Sequence, residues 1–555
     1  MTMALLVDLF GYLSIVIHGL TIVAQSMMLG GVIFLVFLAR PLAWLLGAPG
    51  QAVLRDTARI AAWSALALIL CELATISLEG GVLVGTIDLA PADVLTAQFA
   101  EAGIAKIAAA AILALLLFAF GPRAPAPLLL LLGAVELAAA TLTTHAAARL
   151  DDRIPLLAVA ALHQFGAAIW IGGIPCFVSA LGRVNEAASW RVVGARFSRM
   201  SMVGVACIVV SGATMSVLYI GSWDAFYGTA YGVMVGAKIA MFLALLGLGY
   251  GNFRTVERLR DDPHAPVLRM KRFAEVEIGV GFSIFFAAAS LTSVPPAIDL
   301  TQDRVTFQEI VDRNRPVWPR LASPDHDVLA LPALQAQLDA EAAADASKPP
   351  PAFVPGSGLL PVRNAADIAW SEYNHHWAGI FVILIGLLAL LNQAGLRIAR
   401  HWPLLFLVLA AFLFVRSDPE VWPLGEISFW DSLRDVEVLQ HRFFVLLIVI
   451  FGLFEWRVRA FGKDAQSGGK AALVFPLVTA IGGAALLTHS HAIANIKDQL
   501  LIELTHTPLA LAGIAAGWAR WLEIRLKPPA SRVAGWVWPI CFLLVGLLLL
   551  SYREA

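Results

Sequence analysis

The chain has 555 residues, 59% of them hydrophobic and 14% charged, with a formal net charge of −1. An ordinary soluble domain carries about 25% charged residues, so this length is not a string of soluble cores. The near-neutral balance leaves no electrostatic footprint for nucleic acid and no bias toward an acidic or basic partner.

Apolar runs of 18 or more residues recur from end to end, each long enough to cross a hydrocarbon core of about 30 Å as a helix. The apolar–polar alternation of a membrane β-barrel is absent. The sequence therefore predicts an all-α polytopic membrane protein with about fourteen spans, at 9–39, 57–86, 103–121, 125–146, 155–182, 197–221, 230–252, 272–293, 376–396, 402–417, 438–456, 471–488, 504–521 and 534–552. The first run has no basic leader and no small-residue cleavage site, and it is longer than a signal core, so it reads as a membrane helix.

One long polar interruption divides the chain. Residues 1–293 are expected to form an eight-helix bundle and residues 376–555 a six-helix bundle. Between them, 294–375 is rich in Pro, Ala and Asp and contains Lys348-Pro349-Pro350-Pro351. That composition predicts a largely irregular segment with short helical pieces around 325–345.

Loop charge supplies the orientation. Loops 40–56, 122–124, 183–196, 253–271, 397–401, 457–470 and 522–533 are rich in Arg and Lys, while 87–102, 222–229, 418–437 and 489–503 hold few bases and many acids. By the positive-inside rule the first set is cytoplasmic, which places both termini and 294–375 on the extracytoplasmic side.

On that topology, ten of the twelve histidines fall at or near the outer side, leaving His264 and His401 on the cytoplasmic side. His375 and His376 are expected to open the ninth helix and His441 the eleventh, with His489 and His491 closing the twelfth and His506 opening the thirteenth. His145 is expected to close the fourth helix, and His18 and His163 lie deeper in the first and fifth. A single interfacial histidine is an ordinary packing residue. Several imidazoles at one depth are candidate ligands for copper, zinc or iron. Met27, Met28, Met202 and Met215 add thioethers of the kind that bind Cu(I), although a membrane-helix methionine is most often packing.

The first half also buries ionisable groups: Glu72 and Glu79 in the second helix, Glu136 in the fourth and Lys238 in the seventh. At bilayer depth such groups are costly and mark an ion or proton path, so these four are read as proton-carrying or charge-balancing. The four cysteines (Cys71, Cys176, Cys207, Cys541) lie in apolar runs without a CxxC pair and read as small core residues. No Walker loop, dinucleotide fingerprint, HExxH or nucleophile elbow stands in a plausible setting. A transporter is expected rather than an enzyme.

Two stretches resemble the copper resistance protein D family: His163-Gln-Phe-Gly-Ala-Ala-Ile-Trp170-Ile-Gly172-Gly173, and the segment from Arg196-Phe197-Ser198 through Ser211-Gly212 and Tyr231-Gly232 to Lys238. The likeness is good over 155–295 and looser over 1–150. Residues 370–525 look like the extension of long members, with Asn374-His375-His376-Trp377, Arg416-Ser417-Asp418-Pro419, Gln440-His441-Arg442, Thr488-His489-Ser490-His491 and Thr505-His506-Thr507. The resemblance implies a multi-pass protein of the bacterial inner membrane whose cargo is copper ion, moved from periplasm to cytoplasm. It also implies a periplasmic copper carrier as partner. Two other readings stay open on the residues: a b-type haem protein using His18 with His163, or His441 with His489, His491 or His506, and a non-catalytic membrane scaffold.

Overall fold

The computed structural model describes residues 3–87, 89–149, 152–265, 267–301, 304–315, 317–329, 340, 365–433, 436–461, 469–488 and 496–554. Among them the secondary structure is helical, with one isolated bridge between Val421 and Ile427. In chain order the membrane-length and apolar helices are α1 (Phe10–Leu46), α2 (Ala48–Ile87), α3 (Gln98–Arg123), α4 (Ala126–Thr141), α5 (Arg153–Arg183), α6 (Ala187–Tyr219) and α7 (Ala230–Asp261). They continue with α8 (Val267–Leu291), α9 (Ala365–Gln393), α10 (Arg397–Arg416), α11 (Val438–Phe461), α12 (Lys470–Leu486), α13 (Leu500–Arg525) and α14 (Ala530–Leu550). Twelve are long and apolar enough to cross a membrane, while α4 and α12 are shorter. Backbone groups without water must be satisfied within the segment, and a helix does this locally.

Turns between helices use glycine where the chain enters the left-handed region. Gly47, at φ 58°, separates α1 from α2, and Gly395, at φ 103°, follows α9. A side chain is disfavoured in that conformation.

Three of the boundaries that differ from the sequence expectation change where a histidine stands relative to its helix. α4 ends at Thr141 because the Thr141, Thr143 and Thr144 hydroxyls each bond a carbonyl three residues back, competing with the helix ladder. His145 therefore opens a separate short turn, His145–Ala148, instead of closing α4. α9 begins at Ala365, and the helix carrying α13 begins at Ile496. His375, His376 and His506 accordingly lie inside helices, not at their first residues.

The described part of 294–375 holds a short helix, Phe307–Arg313, with a capping box between Thr306 and Glu309, and a single turn at His326–Val328. The helical pieces expected near 325–345 fall mostly outside the described residues.

The chain divides into two compact units, 9–226 with 234–302, and 1–8 with 227–233 and 303–555. In the first, α2 packs on α3, and α5 on α6. A close crossing joins α1 and α5. A methyl on Gly172 would overlap the Ser26 carbonyl, and one on Gly30 would overlap the Ala168 carbonyl. Only glycine lets backbones approach so nearly. Gln25 Nε2 donates to Gln164 Oε1 at 2.9 Å across the same crossing. Both helices widen to a π-turn close by, at Leu35–Ala39 and Ala168–Gly172.

The second unit has an aromatic centre. Trp402, Phe475 and Trp538 meet with ring centroids 5.5–5.7 Å apart, and Phe406, Phe451 and Phe542 surround them. The Arg459 guanidinium lies 4.8 Å over Trp402 and 5.3 Å over Trp538, and pairs with Glu455. An aromatic pair adds about 0.5–1.5 kcal/mol beyond burial, and a desolvated cation over a ring about 2. The charge is thus absorbed into the core.

Candidate functional site

The first unit buries a charged group that the local sequence makes possible. Lys106, one turn beyond Gly103 on α3, sets its ammonium 2.5 Å from the Glu72 carboxylate of α2. A methyl on Gly103 would lie 3.2 Å from Glu72 Oε2, so this glycine makes room for the carboxylate. Lys106 is 4% exposed and Glu72 2%. Glu136 of α4 is fully buried at 0%, and among the described residues neither of its oxygens has a hydrogen-bond partner. The charges of Lys106 and Glu72 act on it. Glu79, seven residues and about 10 Å of rise beyond Glu72 on α2, is half-buried and interacts with the same pair.

Further ionisable groups continue from this cluster. Lys106 acts electrostatically on His18 of α1, and so does His145. His145 in turn feels Lys238 of α7, which also acts on His163 of α5. His163 Nδ1 lies 3.0 Å from the Ser211 hydroxyl of α6. The sequence-predicted His18, His145, His163, Glu72, Glu79, Glu136 and Lys238 are thus a series of ionisable groups within the first unit. His145, outside the spans, is half-buried, and burial pushes its imidazole below the ordinary value, against the Leu291 carbonyl 3.4 Å away, which pulls it up. Its neutral form, with a lone pair for a metal, is favoured accordingly.

Met27 and Met28 stand apart from His18 by about 14 Å of helical rise. Met28 is fully buried and Met27 half-buried, beside the α1–α5 crossing. Met202 is exposed and Met215 half-buried on α6.

In the second unit three histidines meet the chain end. His375 stacks on Tyr552 with centroids 3.9 Å apart, and His506 meets the same ring edge-on at 6.3 Å. Both point Nδ1 at the carbonyl four residues earlier, Ser371 and Ile502, at 2.9 Å each. His376, 1% exposed, has both ring nitrogens engaged, with Arg320 N–H and the Tyr552 carbonyl. His441 pairs with Asp418 at 2.5 Å, and His326 bonds the Pro419 carbonyl. His489 and His491 lie outside the described residues. Among the described residues, no three or more His, Cys, Asp or Glu side chains are gathered to hold a metal ion.

Sequence reasoning missed Lys106, the cation at the centre of the first cluster. Near the start of an apolar run it passes for a lysine that snorkels outward. It also missed Glu277 of α8, 3% exposed, whose Oε1 accepts from Asn252 Nδ2 of α7 at 2.6 Å.

Fold and site together define a multi-pass helical membrane protein with a series of ionisable groups buried in its first unit. Residues 191–291 match the family copper resistance protein D, inside the stretch whose sequence resembles that family. The chain is also similar to copper transport protein CutJ of Bacillus subtilis (strain 168), 30% identical over 174 residues, which is 31% of this chain and 30% of that relative. The likeness thus spans under a third of the relative's length. No solved structure matches the chain. The family-matched segment contains Ser211, Lys238, Asn252 and Glu277.

Proposed function

We propose that this protein is a copper permease of the bacterial inner membrane, moving copper ions from the periplasm toward the cytoplasm. The observation that carries the reading is the match of residues 191–291 to copper resistance protein D, reinforced by the similarity to a protein named for copper transport. In this reading His18, His145 and His163, with Met27 and Met28, act as exchangeable ligands in the first unit. Neutral imidazole and thioether are the donors that copper prefers. His375, His441, His489, His491 and His506 collect the ion at the outer ends of the second unit, with His376 anchoring that surface. Glu72, Glu79, Glu136 and Lys238 balance the moving charge, and a periplasmic copper carrier delivers the cargo.

Copper uptake by cells with and without the gene tests this, with the metal content and visible spectrum of the purified protein alongside. Reduced uptake in the deletion strain, restored by the gene, is expected. Equal uptake with unchanged copper tolerance would sink the proposal. A reducible Soret band would replace it with haem chemistry.

A further inference from the structure

The buried cluster of the first unit contains an imbalance. Glu72 and Glu136 offer two buried carboxylates, and the ammonium of Lys106 pairs with the first while its charge also acts on the second. The ammonium is committed to Glu72 at 2.5 Å. Glu136, completely buried, has no hydrogen-bond donor among the described residues at either oxygen. A carboxylate without donors in an apolar interior is unfavourable, and a proton on one oxygen removes the surplus charge.

We propose that Glu136, enclosed on α4 where that helix packs against the Lys106-bearing α3, is a single-proton exchange site and that this proton is the coupling ion of transport. The coupling rests on the permease reading; the proton site itself does not. In the resting arrangement Glu136 carries a proton and the Glu72–Lys106 pair is neutral as a whole. When a cation enters the series of ionisable groups, the Glu136 O–H bond breaks and its electron pair stays on the carboxylate oxygen. The proton leaves to water. One positive charge has replaced another, and the buried cluster keeps its balance.

The neighbours of Glu136 are accounted for helix by helix. From α2 and α3 it feels Glu72 and Lys106. Glu79 of α2 and His18 of α1 act on the same Lys106. On α5, which also packs against α4, His163 turns to Ser211. Glu79 is half-buried where Glu72 and Glu136 are enclosed, which makes it the most exposed of the three carboxylates.

Infrared spectroscopy of the purified full-length protein tests the site without copper, because a protonated carboxyl and a carboxylate absorb separately. The wild type should show a deuterium-sensitive carboxylic C=O band that disappears in Glu136→Gln. Glu136→Asp should keep the band at a shifted frequency. Lys106→Gln should add a second band, as Glu72 loses its cation and takes up a proton. Identical spectra for the wild type and Glu136→Gln would overturn the proton site, as would a Glu136→Asp band at the wild-type frequency should Glu136→Gln fail to fold.

The coupling is tested in proteoliposomes with Cu(I) and a pH-sensitive dye. Proton displacement accompanying copper entry in the wild type and lost in Glu136→Gln supports it. Undiminished displacement in that variant overturns it. Absence of copper entry in the wild type defeats the permease reading and the coupling with it, while the infrared result still decides the site.

Discussion

His376 ties together three parts of its unit: Nε2 donates to the Tyr552 carbonyl at 2.9 Å while Nδ1 accepts the Arg320 N–H at 2.8 Å. Both nitrogens are used, so the ring acts as a clamp. Replacement by alanine leaves buried polar groups unpaired, at roughly 1–3 kcal/mol each. His376→Ala should lower the unfolding temperature in detergent while leaving the copper content of the purified protein unchanged. A variant that melts like the wild type but loses copper would reverse that assignment.

The α1–α5 crossing predicts a contrast among glycines. Gly172→Ala and Gly30→Ala force a methyl against the Ser26 and Ala168 carbonyls, and overpacking of this kind costs about 1–3 kcal/mol or more. Gly247→Ala on α7 meets nothing within 4 Å and should stabilise, by up to roughly 1 kcal/mol from helix propensity. Thermal melts of the three variants check the ordering. Equal melting temperatures would mean the crossing is looser than its geometry.

The Glu72–Lys106 pair predicts non-additivity. Removing one partner from a buried pair leaves the other either uncompensated or forced to give up its charge, at a cost of up to about 3–5 kcal/mol. Lys106→Met and Glu72→Gln should therefore each destabilise strongly. The double variant should lose much less than their sum, measured by a double-mutant unfolding cycle. Strict additivity would show that the two groups do not interact.

His145 predicts a pH dependence. Burial holds its folded value below the ordinary 6.5, so the unfolded chain binds the proton more readily and stability rises with pH. The contribution is complete above about 6.5 and is lost as pH falls from there through the lowered folded value. His145→Asn should flatten this limb of a stability–pH curve. The same steepness in wild type and variant would remove His145 as its source.

Much of the architecture was legible because bilayer-length apolar runs record helices almost directly. Glu72 and Glu136 could be read as buried because a carboxylate in the middle of such a run has nowhere to go but the bundle interior. Their relationship could not be read. Whether Glu72 meets Lys106, and Glu136 meets no donor, depends on how α2, α3 and α4 rotate against one another, and three largely apolar helices carry little periodicity to fix that rotation. His376 shows the limit from the other side. An Asn-His-His run invites a metal reading, yet its second imidazole is consumed by the carbonyl of Tyr552 and the amide of Arg320, partners far away in sequence.

The paired π-turns beside the Gly30–Gly172 contact have a consequence for the face each helix presents. Five residues where an α-turn would hold fewer shift the angular phase of everything downstream by up to about one residue, roughly 100°. His18 and His163 lie upstream of these turns in their helices. No single helical wheel relates them to residues further along, and deleting one residue inside either π-turn would rotate one half of a helix relative to the other. Single-residue deletions at Val36 and Ile169, compared with deletions in exposed loops, would show how far the alignment of the ionisable groups relies on that extra residue.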